Sequence, residues 1–67
     1  MNKHLRKVIL HRMIDDDLTR QDLAKICEIK DSYMRNILTN QAPISRKVLK
    51  KLNEFLGSEY TQEQANK

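Results

Sequence analysis

The stretch DSYMRNIL, residues 31–38, brings together side chains that can do recognition chemistry. Taken as a helix at about 100° per residue, it gathers Met34, Ile37 and Leu38 into one apolar stripe. Ser32 and Asn36 fall opposite that stripe, together with Thr39. Arg35 and Tyr33 flank them, and Asp31 lies at the edge near the helix start. These types can read the edges of base pairs. Asn pairs with adenine, Arg with guanine, a carboxylate accepts from the cytosine amino group, and a hydroxyl serves either way. Alone, the same face is an ordinary solvated helix surface, so the neighbouring elements decide between the two.

Just before it, Leu23, Ala24 and Cys27 keep a helical spacing that breaks at Glu28 and Ile29. Thr19-x-x-Asp22 predicts a helix start with a capping box in which Asp replaces the usual Glu or Gln. A helix from Thr19 to about Cys27, a tight turn, and a helix from Lys30 or Asp31 to Leu38 or Thr39 follow. Asn40 is suited to end the latter in a left-handed conformation. Two short helices around such a turn let the second stand off the core and enter a major groove while the first braces it.

Residues 2–14 predict a first helix, with Leu5, Ile9 and Met13 at i, i+4, i+8 and Val8, Leu10 and Ile14 broadening the stripe. Asp15, Asp16 and Asp17 predict a loop, because carboxylates repel one another and the dipole at a helix C-terminus. After Pro43, Ser45 is a cap for a fourth helix bearing Val48, Leu49, Leu52, Phe55 and Leu56, and Gly57 is its stop. Arg46, Lys47, Lys50 and Lys51 run along it with no acid between them. Residues 58–67 are polar and read as a frayed tail beyond a domain at 1–57.

The 67 residues make one domain, with 13 Lys and Arg against 9 Asp and Glu, a formal charge of +4. That balance favours an anionic partner, nucleic acid before membrane surface. The single Cys27 excludes a disulfide framework and reads as a buried thiol in a reducing cytoplasm. No apolar run approaches the ~18 residues of a membrane span. The acidic triplet lacks the Gly and later Glu of a calcium loop. His4 and His11 are too far apart on one helix for zinc. Neither a phosphate-cradling Gly loop nor a nucleophile with a base is present, so we expect no enzyme, no cofactor, no metal and no small-molecule ligand.

TRQDLAKICEIKDSYMRNILTN, residues 19–40, resembles the helix-turn-helix of the lambda-repressor-like (Cro/C1, XRE) family, and PISRKVLKKLNEFLG, residues 43–57, is similar to its fourth helix. The matches are Thr19, Leu23, Ala24, Cys27, Ile29 and Ile37, with Met34 for the usual aliphatic. Glu28 stands where the family has Gly, at a cost of ~1 kcal/mol in left-handed geometry. Lys30 replaces the usual Ser cap, leaving Asp31 as a candidate cap or a base reader. Arg20 replaces a phosphate-touching Gln, Asp17 a frequent Gly, and Ile26 a usually polar residue.

The resemblance implies an all-α bundle of four helices, or five, with a helix-turn-helix. It implies sequence-specific binding of double-stranded DNA by a small transcriptional regulator, a repressor or Cro-like switch of bacteriophage or mobile-element type. Asp31, Ser32, Arg35 and Asn36 would face bases. Arg20, Gln21, Lys30, Asn40, Arg46 and Lys47 would face phosphates. A homodimer on an inverted repeat, assembled in solution or only on DNA, would double the contacts. Phe55, Leu56 and Tyr60 are its first candidate surface. The alternatives are a protein-interaction module, favoured by Ile26 and the acidic triplet, and an excisionase-like architectural factor.

Overall fold

In the computed structural model, which describes residues 1–67, the chain forms helices and no strand: α1 (Lys3–Asp15), α2 (Arg20–Ile26), α3 (Asp31–Leu38), α4 (Arg46–Leu56) and α5 (Gln62–Ala65). Short polar side chains start most of them. Asn2 Oδ1 accepts from the Leu5 amide at 3.0 Å and Ser45 Oγ from the Val48 amide at 3.3 Å. Thr19 and Asp22 form the expected capping box, with bonds of 3.2 and 2.9 Å. Each such bond satisfies a donor that the helix leaves unpaired. At α3 the N-cap position is Lys30, whose side chain makes no capping bond. Asp31 is therefore the first residue of α3, not its cap.

The helix ends share one device. After α1, α2, α3 and α4 a single residue takes positive φ: Asp17 (54°), Glu28 (58°), Asn40 (63°) and Gly57 (66°). The next amide then reaches back to close a Schellman turn, as in Leu18 to Met13 O at 2.7 Å, Ile29 to Ala24 O at 2.9 Å and Gln41 to Asn36 O at 2.8 Å. The expected end points at Asn40 and Gly57 hold. The acidic triplet differs from expectation in part: Asp15 is the last residue of α1, while Asp16, its C-cap, and Asp17 form the turn. Arg12 Nε holds the Asp16 carboxylate at 2.7 Å, which offsets its poor place at a helix C-terminus.

The core collects Leu5, Ile9 and Met13 from α1, Leu23, Ala24 and Cys27 around α2, and Met34, Ile37 and Leu38 from α3. Ile44, Val48, Leu49, Leu52 and Ala65 complete it. Ile14, expected on the buried stripe, is 72% exposed; the i, i+4, i+8 row is buried and Leu10 packs partly against the core beside it. The expected frayed tail is also corrected. Residues 58–67 fold back, α5 packs on α4, Ala65 is fully buried, and the Asn2 amide donates to Ala65 O at 2.7 Å. A short cap-and-turn code, Thr61 with Gln64, nucleates α5 despite its polar composition. No helix is long and apolar enough to cross a membrane.

Candidate nucleic-acid interface

The Schellman turn at Glu28 folds α3 back against α2. Met34 and Ile37 are fully buried and Leu38 nearly so. That burial fixes the roll of α3 and leaves Ser32 and Arg35 exposed and Asn36 half-buried. Asn36 has a second duty through its backbone: its carbonyl accepts from both Gln41 N (2.8 Å) and Ala42 N (3.1 Å), tying the following loop to α3. Tyr33 is half-buried against the core edge.

Asp31 and Arg20, which the sequence assigned separate roles, are brought together. Arg20 Nε and Nη2 donate to the two Asp31 oxygens at 2.8 and 2.9 Å, a bidentate bridge between the first residues of α2 and α3. The hydrogen bond from Arg20 holds the Asp31 carboxyl below the usual carboxylate range, and the same bond pushes the Arg20 pKa up. Both Asp31 carboxylate oxygens are thus engaged by Arg20. Gln21 and Lys30 are exposed beside them.

Arg46 and Lys47 stand exposed in the first turn of α4, which contains no acid. Lys51 does not continue their run outward. Its ammonium pairs with Glu28 at 3.2 Å, and that bond raises its pKa. The pair ties the α2–α3 turn to α4. Cys27 beside it is fully buried in the core, and burial pushes its thiol up to about 11, away from the thiolate.

Asn40 is exposed and its side-chain oxygen accepts from the Met1 ammonium. Arg6 joins the same end of α3: its Nε donates to Leu38 O at 2.8 Å, a cation on a helix C-terminus. Sequence reasoning missed Arg6, since nothing local signals a bond across 32 positions. Phe55, Leu56 and Tyr60 pack partly on this chain's own core, and the Arg12 guanidinium lies 5.0 Å over the Phe55 ring. The large apolar side chains that stay exposed are Ile14 and Ile26. Comparison with known proteins gave no matching family model, no similar curated protein and no similar solved structure.

Proposed function

We propose that the chain binds double-stranded DNA with sequence preference through α3, as a small regulator of transcription of the lambda-repressor-like, helix-turn-helix kind. One observation carries the reading. The roll of α3 is fixed by three buried apolar residues, which leaves Ser32 and Arg35 exposed and Asn36 half-buried on the side away from the core. Such a set supplies a hydroxyl, a guanidinium and an amide for base edges. Arg46 and Lys47 supply cations for the backbone that runs past it. Arg20 reaches that backbone while still bridged to Asp31, because a guanidinium offers five donors and the bridge uses two.

The test is selection of sites from a random duplex library at near-physiological salt, repeated with Asn36→Ala. The expected result is an enriched site whose preference at one position relaxes in the variant, with a loss of ~1–3 kcal/mol on the best sequence. Unchanged site selection by Asn36→Ala would displace the reading face from α3. The exposure of Ile14 (72%) and Ile26 (37%) favours a second reading, a module that docks on another protein. Salt separates the two. Contacts to about five phosphates give a slope of log K on log[salt] near −4 to −5, and a protein partner gives a much shallower one.

A further inference from the structure

We propose that Asn66, supported by Gln62, is a positioning residue for the cations of α4: by holding both backbone groups of Ile44 it sets where α4 begins and so where Arg46 and Lys47 stand. The proposal rests on the DNA reading above.

The loop from Asn40 to Ser45 joins the reading helix to the cationic turn. Its first half hangs from α3 through the Asn36 carbonyl. Its second half has no helix of its own to pair with. There the Ile44 amide donates to Asn66 Oδ1 at 2.8 Å, and Asn66 Nδ2 donates to Ile44 O at 3.3 Å. Gln62 Nε2 donates to the same carbonyl. One side-chain amide thus pairs with a residue 22 positions away much as a neighbouring strand would. Asn66 is itself steadied, since its Nδ2 also donates to Gln62 O at 3.2 Å.

Both ends of the C-terminal segment are tied to the body. At one end Asn53 Oδ1 accepts from Ser58 Oγ (2.8 Å) and the Tyr60 amide (3.0 Å), while its Nδ2 donates to Tyr60 O (3.0 Å). At the other, Ala65 is fully buried and its carbonyl takes the Asn2 amide. The residue after Ile44 is Ser45, the cap of α4, and the next two are Arg46 and Lys47. Only Ser45 lies between the anchor and the cations. A shift of Ile44 is therefore passed to both of them, whereas Arg35 and Asn36, on α3, keep their places.

The test compares wild type with Asn66→Ala, using Lys47→Ala as the reference for losing one phosphate contact. Melting and far-UV circular dichroism verify folding, amide exchange follows the Ile44 N–H, and duplex affinity is taken as a function of salt below the melting range. The expected result is a folded Asn66→Ala protein whose Ile44 amide exchanges at least about tenfold faster. Its salt slope becomes shallower by about one to two units, against about one for Lys47→Ala, while the preferred base sequence stays the same. A purely structural role for Asn66 would lower the melting temperature and leave the slope alone. Should Asn66→Ala melt too early, Asn66→Leu carries the test, since it keeps the shape of the side chain and loses both bonds to Ile44 without adding a charge. An unchanged Ile44 amide, or an unchanged slope in a variant whose Ile44 amide is freed, overturns the proposal. Failure of the wild type to bind any duplex is seen before a variant is made; it overturns the functional reading and the proposal's claim about DNA with it.

Discussion

The bridge between Arg20 and Asp31 changes what each residue can do, and its pH dependence makes it measurable. Held by Arg20, the Asp31 carboxyl has a folded pKa below its unfolded value of ~3.9. Asp22 is shifted the same way, chiefly by the Thr19 amide. A carboxyl depressed in the folded state adds stability that is fully present above the unfolded value and disappears as pH falls through the folded one. Melting curves between about pH 2 and 6 should then show a shallower acid decline for Asp31→Asn than for wild type. Equal declines would mean that the bridge does not persist in solution. The same substitution frees Arg20 and raises the formal charge from +4 by one, so binding to arbitrary duplex should strengthen at low salt. Little of this was legible in the sequence. Arg20 and Asp31 are 11 positions apart and meet only because the turn at Glu28 lays one helix start beside the other. The residue types were readable; the fact that two of them satisfy each other was not.

At the scale of elements the sequence was more transparent, because caps and stops are local. Thr19 with Asp22, Ser45 with Val48, Asn40 and Gly57 all act within a few residues, and all appear where their spacing places them. α5 was hidden all the same. Its polar composition hid a local cap, Thr61 with Gln64, and what ties it to the body are long-range bonds to Asn2 and Ile44. The four left-handed stops also differ in strain. Gly57 takes the conformation freely, and Asn40 and Asp17, with short polar side chains, tolerate it better than Glu28 does. Asp17, however, stands in a run of three carboxylates. Glu28 recovers part of its cost through Lys51, but Asp17 forms no ion pair. Asp17→Gly should therefore stabilise the fold by ~0.5–1 kcal/mol, a rise of about 2–8 °C in melting temperature, after allowing for the extra freedom of glycine in the unfolded chain. Glu28→Gly should change it little. A fall in melting temperature for Asp17→Gly would show that its carboxylate makes a favourable interaction in solution that outweighs the strain.

The dimensions of the whole molecule bear on how it would sit on DNA. α3 has eight residues, a length of ~12 Å at ~1.5 Å per residue, enough to cover only a few base pairs. Useful discrimination then calls for two copies on an inverted repeat, with centres about 34–36 Å apart along the duplex. The Cα trace measures 28 × 22 × 18 Å, so two copies at that spacing meet at their side chains and at little else. The contact would fall well below the ~1,000 Å² that a stable interface needs. Phe55, Leu56 and Tyr60, already packed on the monomer's own core, offer little further area, and Ile14 and Ile26 lie on different helices. The expected behaviour is a monomer in sedimentation at micromolar concentration and two chains on a symmetric duplex. Inserting about five base pairs between half-sites turns the second copy to the opposite face of the duplex and should abolish whatever cooperativity the edge contact supplies. A chain that sediments as a dimer without DNA would require a larger interface than these edges provide, with Ile14 and Ile26 the first positions to change. A duplex that takes up a single chain would leave one α3 to do all the reading, and the enriched site should then shrink to one asymmetric half.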